Sequence, residues 1–381
     1  MKALYCDNRR QRGILFNKGC AMKNLRLCLF PALLFAGIFS LAHAGGSDPR
    51  DFNSFYWPAY RLPDPAWMSS SAASGKELVH STYKYLGAES TPRSVNGLPY
   101  VGNKLACTSC HIADGTQPNA GPLVVVAQKY APPGIFNSRS NILLDVQGRV
   151  NGCFERSMAG EPLPTDSQWM RDIVAYIDFL GTGIQPGYTF NQVPGQEFPS
   201  MALLTRAADP VRGKDIYKER CTSCHQENGS GVWRDDEKRY RYPAVWGNDS
   251  FGLMAGTGRL YTAATVIWST MPHDKVNVMD VTTRMPQEDA WDVAAYVLSF
   301  SRPFGQRFIN DFTGVGPDGM PNWLRRPASA SYDFTMPRSN AGAATDDPSK
   351  PPMFTREQHT FGPFQPIDAA LKAARNARGF P

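Results

Sequence analysis

A chain of 381 residues with 42% apolar and 19% charged side chains reads as globular and soluble, with room for about two small domains, and excludes fibrous and intrinsically disordered classes. Its formal charge of +6 belongs to the first 44 residues, which hold seven Lys or Arg and one acid; the remainder carries 33 side chains of each sign. No basic surface for nucleic acid is implied.

From Met22 onward, Lys23 and Arg26 precede an apolar run from Leu27 to Leu41, and Ala42-His43-Ala44 supplies the small residues that a signal peptidase needs. Segment 1–44 therefore reads as a targeting segment cleaved after Ala44, which sends the mature chain to the periplasm. The run is shorter than the ~20 residues of a membrane span, and no later stretch is apolar enough, so an integral membrane protein is not expected. Cys28 has no small residues before it, which argues against a lipoprotein. Residues 1–21 leave open whether translation starts at Met1 or Met22.

Four of the remaining cysteines form Cys107-Thr108-Ser109-Cys110-His111 and Cys221-Thr222-Ser223-Cys224-His225, two copies of the c-type haem attachment signature. The chemistry demands this spacing: two thiols add across the haem vinyl groups, and the adjacent histidine swings under the iron. One copy alone could be chance, a redox dithiol or half of a zinc site; two copies on an exported chain leave those readings remote. The expectation is two covalently bound haem c groups, with His111 and His225 as proximal ligands.

Each motif sits in a larger repeated unit. A helical pattern from Gly75 to Leu86 precedes the first, and one from Arg212 to Tyr217 precedes the second. Trp169–Leu180 and Trp291–Phe300 close the units with apolar and aromatic residues at helical spacing. The plan is mainly α, a tandem pair of class I cytochrome c domains over 45–203 and 204–303, in which haem replaces much of the apolar core a small domain lacks.

The sixth iron ligand must come from the loop before each closing helix. In the second unit Met271, followed by Pro272, is favoured over Met254, Met279 and Met285, and methionine ligation would suit that haem to pass electrons onward. In the first unit Cys153 occupies the corresponding slot, 42 residues after His111 as Met271 lies 46 after His225. Met170 is discounted because it falls inside the closing helix. Met158 stays open as ligand, in which case Cys153 would be a small buried hydrophobe.

The run from Arg149 to Met158, with Arg149-Val150-Asn151-Gly152-Cys153-Phe154-Glu155-Arg156-Ser157 at its centre, resembles the Arg-(Ile/Val)-Asn-x-Cys-Phe-Glu-Arg-Ser segment of the thiosulfate dehydrogenases of the TsdA type. The similarity extends from about Gly75 to Pro303 and includes Tyr242–Gly247, Ala255-Gly256 and the Met271-Pro272 loop. It implies a dihaem enzyme that joins two thiosulfates into tetrathionate and passes electrons to a soluble or membrane-bound cytochrome c or similar acceptor. It further implies that Cys153 binds the active-site iron opposite His111, that Arg139, Arg149 and Ser157 line an anion pocket, and that Met271 ligates the electron-transfer haem. Some members place a lysine before that methionine as an alternative ligand; Thr270 stands there in this chain, which puts a Lys/Met switch in doubt. Physical chemistry agrees on the arginines, because a dianion calls for cations that keep their charge and present a fork of donors. Arg156 and Glu155 read as a local pair, and Ser157 alternatively as a helix-cap hydroxyl.

Two rival functions keep the same haems: a pure electron carrier, and a sulfur-oxidation subunit resembling SoxA. A dihaem peroxidase fits less well. Residues 304–381 are rich in Pro, Gly, Ala and Ser, with aromatic anchors such as Trp323 and Phe361 and a short helical pattern near Ile367 to Ala377. They are expected to wrap over the haem domains and to be partly disordered. His359 reads as a surface histidine and His80 and His273 as structural, with His273 placed to touch the surroundings of the second haem.

Overall fold

Six helices of 11 to 14 residues carry the architecture. They belong to a computed structural model that describes residues 51–137 and 142–303. The expected signal segment, Arg139 and the tail from Phe304 lie outside the described residues. The first half contains α1 (Ser70–His80), α2 (Val146–Arg156) and α3 (Gln168–Gly181); the second contains α4 (Pro210–Arg220), α5 (Leu260–Thr270) and α6 (Gln287–Leu298). Most starts are written locally. Ser69, Asp145 and Ser167 each accept the backbone N–H three residues on, and Asp209 accepts those of Val211 and Arg212, with Pro210 at the first helical position.

Two antiparallel hairpins add short strands. β1 (Ile135–Asn137) pairs with β2 (Ile142–Leu144), and β3 (Val232–Arg234) pairs with β4 (Arg239–Tyr242).

The halves share one packing device. Helix α1 crosses α3 where Gly75 lies so close to the Asp172 carbonyl that a Cβ would strike it, and α4 crosses α6 with Gly213 in the same relation to Asp292. These close approaches fix the register of the repeat: Asp172 corresponds to Asp292 and, one turn later, Tyr176 to Tyr296. The closing segments both begin with tryptophan in the sequence, yet Trp169 and Trp291 occupy different places in the repeat. Around the first crossing Leu78, Val79, Phe154, Ile173, Tyr176 and Ile177 form a core; around the second, Ile216, Tyr217, Leu260, Trp291 and Ala294 do the same.

The halves differ in how they reach their motifs. Helix α4 runs directly into Cys221, whereas in the first half a short helix, Thr82–Leu86, and a loop over 87–106 intervene before Cys107. A third core gathers Tyr56, Tyr60, Val124, Val125 and Val193, and takes Val278 from the second half. Long-range hydrogen bonds tie the halves together. Asn103 Nδ2 donates to the carbonyls of Ser157 (2.9 Å) and Ser250 (2.8 Å), and the Gly252 N–H donates to the Ser157 carbonyl (2.8 Å). Among the described residues no helix is long and apolar enough to cross a membrane.

Candidate active site

The site is assembled on one face of α2. Arg149, Gly152, Cys153 and Arg156 stand at positions i, i+3, i+4 and i+7, the spacing that stacks side chains along a single helical stripe. Arg149 Nη1 donates to Cys153 Sγ at 3.3 Å. Gly152 leaves the gap between the guanidinium groups: a Cβ there would lie 2.9 Å from Arg156 Nη1 and 4.0 Å from Arg149 Nη1. Arg156 is only 8% exposed, and its charge acts on the Cys153 sulfur.

His111 arrives from the first motif and hydrogen-bonds with Cys153. Its Nδ1 is held by the Gly121 carbonyl at 2.5 Å, so Nε2 is the nitrogen turned toward the sulfur. His225 repeats the arrangement in the second half, with Nδ1 2.8 Å from the Pro243 carbonyl. Fixing one ring nitrogen on a backbone carbonyl is how a protein orients a histidine that binds metal through the other.

Electrostatics separate Cys153 from the motif cysteines. Burial pushes its thiol up, but the charge of Arg149, the bond to His111 and the charge of Arg156 outweigh burial and bring it down to about 6. Burial pushes Cys107 and Cys110 up to about 12, aided by the neighbouring Cys153, and Cys221 up to about 11. Cys153 is therefore drawn toward the thiolate, while Cys107, Cys110 and Cys221 are pushed the other way. Cys107 is further positioned by Thr82, whose hydroxyl contacts its sulfur at 3.3 Å and accepts its N–H at 3.0 Å.

This donor set fits a covalently attached haem: paired thiols, an oriented histidine, and a cysteine sulfur facing that histidine. A zinc site fits worse, since among the described residues no three His, Cys, Asp or Glu side chains gather in a metal-binding cluster.

The remaining expected residues fall as follows. Ser157 is the C-cap of α2, and its carbonyl takes the two junction hydrogen bonds; it is not an N-terminal cap hydroxyl. Met158 is 3% exposed within the first core, and the sulfur that His111 meets is that of Cys153. Met271 is the half-buried C-cap of α5, while Met254 and Met285 are buried and Met279 is 41% exposed. His80 pairs with Asp114 at 2.7 Å, and His273 bonds Gln117 of the first half at 3.1 Å. Sequence reasoning missed the inward role of Arg156, which the seven-residue spacing from Arg149 could have revealed. It also missed Tyr130, which hydrogen-bonds Arg149, and the Gly121 carbonyl; both reach the site through tertiary folding and leave no local signal.

Comparison with known proteins bears on this geometry. Residues 210–301 match the cytochrome c family, which assigns haem c to the second half. The chain is 36% identical over 216 residues to a thiosulfate dehydrogenase of Allochromatium vinosum, covering 56% of this chain and 75% of that one. It is 30% identical over 269 residues to one of Psychrobacter arcticus, covering 69% and 73%. A solved structure of a thiosulfate dehydrogenase (TsdBA) from Marichromatium purpuratum superposes with a TM-score of 0.56 at 26% identity. That match covers 68% of this chain and about half, 54%, of the other.

Proposed function

The chain belongs to the thiosulfate dehydrogenase family and is an oxidoreductase acting on thiosulfate, and from that premise we propose that it couples two thiosulfates into tetrathionate at Cys153. The observation that carries the reading is the position of the Cys153 sulfur, facing His111 on one side and the Arg149 guanidinium on the other. The proposal includes two class I cytochrome c domains, one haem on Cys107, Cys110 and His111 and one on Cys221, Cys224 and His225. Cys153 would also hold the first haem and Met271 the second. Export to the periplasm follows from the segment ending at Ala44, and the acceptor is a c-type cytochrome or similar carrier.

Bound haem supplies one-electron acceptance, and two such groups together match the two electrons of the reaction. The protein's part is to hold and activate sulfur. Arg149 and Arg156, with Arg139 as the resemblance implies, would receive the sulfonate oxygens of a dianion through charge-assisted hydrogen bonds. The Cys153 thiolate bonds to the sulfane sulfur of the first thiosulfate as two electrons leave, giving a cysteinyl thiosulfonate. The sulfane sulfur of a second thiosulfate attacks that adduct, tetrathionate departs, and the Cys153 thiolate is regenerated as leaving group. Low thiol basicity serves both steps: it keeps the sulfur ionised for capture and makes it a good leaving group.

The test is replacement of Cys153 by Gly and by Met. Both variants should retain two haems, lose the thiolate-type low-spin iron signal and lose thiosulfate oxidation. Full activity in either would reduce the protein to an electron carrier.

A further inference from the structure

Arg302 lies four residues beyond the end of α6, where the two halves meet. The Gly247 N–H donates to the Ser301 carbonyl and the Leu253 N–H to the Pro303 carbonyl, each at 2.8 Å, so segment 301–303 is bound to loop 247–253. That loop is itself bound to the first half. Gly252 donates to the carbonyl of Ser157, one helical turn past Cys153, and a Cβ at Gly252 would strike the Arg156 carbonyl.

The guanidinium of Arg302 is short of partners. Its Nη2 donates to the Val297 carbonyl at 2.8 Å, and its Cζ sits 4.2 Å from the centre of the Phe251 ring. Among the described residues its enclosed Nη1 has no hydrogen-bond partner, and no carboxylate lies against it. Burial without a compensating anion pushes the Arg302 guanidinium down to about 10. A buried N–H left unpaired is costly, and more so when charged, so such a group persists where a ligand supplies the missing acceptor. Every haem brings two carboxylates, the propionates, into its pocket.

We propose that Arg302 is the cationic anchor of a haem propionate at the junction of the halves, and that it holds the potential of that haem up. The inference rests on the two-haem reading. A positive charge beside a propionate cancels part of the negative field felt by iron and favours the reduced state; losing it favours the oxidised state. The propionate belongs to the haem of the first motif or to that of the second, and one experiment separates them.

R302Q and R302K are made in the full exported chain, and haems per chain are counted in each preparation. The two potentials are then followed separately by spectroelectrochemical titration, because thiolate-ligated and methionine-ligated haems have different spectra. Two haems per chain are expected throughout. R302Q should lower the potential of one haem and leave the other unmoved, and R302K should recover most of the shift; the haem that moves is the owner of the propionate. Unchanged potentials at both haems in R302Q, or equal shifts at both, would overturn the proposal. Fewer than two haems in the parent protein would instead overturn the reading beneath it. If R302Q fails to fold, the propionate-bending band in the resonance Raman spectrum of R302K carries the test. A compact ammonium cannot reproduce the planar guanidinium contact, so an unmoved band would sink the assignment.

Discussion

Gly152→Ala separates the chemistry of the site from the stability of its helix, because the two should move in opposite directions. Gly152 is an interior residue of α2, where alanine is favoured over glycine by about 0.8–1 kcal/mol. The new methyl would stand 2.9 Å from Arg156 Nη1, the far end of a flexible side chain. To reach ordinary van der Waals separation the guanidinium must retreat by about 0.6–1 Å. Folding tolerates such a movement, and the variant should melt no lower than the parent. Catalysis should not tolerate it, since a displacement of about 1 Å in a positioning group can cost on the order of 100-fold. Steady-state oxidation of thiosulfate with an artificial one-electron acceptor should therefore show kcat/KM reduced by about 10- to 100-fold, or roughly 1.4–2.7 kcal/mol of transition-state stabilisation. The paired measurement is the thermal midpoint. An unchanged kcat/KM together with an unchanged or raised midpoint would show that the Arg156 guanidinium has no part in binding or orienting substrate.

Other substitutions test separate links. Arg149→Gln removes the charge bonded to the Cys153 sulfur; charge-assisted hydrogen bonds contribute about 1.5–3 kcal/mol, so kcat/KM should fall by about 10- to 150-fold and lose part of its dependence on ionic strength. Asp292→Asn disrupts a carboxylate with no solvent exposure that binds both Arg206 and Arg212, and should destabilise the second half by about 3 kcal/mol in chemical denaturation at neutral pH. Burial pushes the Asp292 carboxyl up, but bonds from Arg206, the Asp209 N–H and Arg212 outweigh it and leave the carboxyl below its ordinary value. Its stabilisation is thus full above the unfolded carboxyl value of about 4 and is lost as pH falls through the folded value, so the parent and Asp292→Asn curves should converge in acid. Asn103→Ala leaves the Ser250 carbonyl without its donor and removes one of two from Ser157; a cost of about 2–4 kcal/mol should appear as a lower thermal midpoint with both haems still attached.

How much of this was legible beforehand depended on whether the constraint was local. The motifs Cys107–His111 and Cys221–His225 stand out because covalent attachment dictates their spacing, and Cys153 stands out as the cysteine that neither motif absorbs. Arg149 is one helical turn before Cys153, so its contact could be anticipated. Arg156 shares that face, seven residues after Arg149, but its burial is set by tertiary packing. The repeat was visible, yet its register was not. Tryptophans at the heads of the closing segments offered the more conspicuous match, while the true marks, Gly75 on Asp172 and Gly213 on Asp292, are close backbone approaches without a side-chain signature.

The junction was the least legible part, and it has the largest consequence for the proposed chemistry. Ser157, Asn103 and Gly252 meet through main-chain groups far apart in sequence, and carbonyls leave no trace in residue type. Their effect is to secure the C-terminal end of α2, the helix that carries Cys153, from both halves at once. A helix end has carbonyls without intrahelical partners, and here the Ser157 carbonyl is satisfied by one donor from each half. Weakening loop 247–253 should consequently loosen the Cys153 helix as well as the second half. Gly252→Val, whose side chain would strike the Arg156 carbonyl, should lower thiosulfate turnover although position 252 belongs to the other half. If turnover and the first haem's spectrum remained those of the parent while only the second haem changed, the mechanical link between the halves would be refuted.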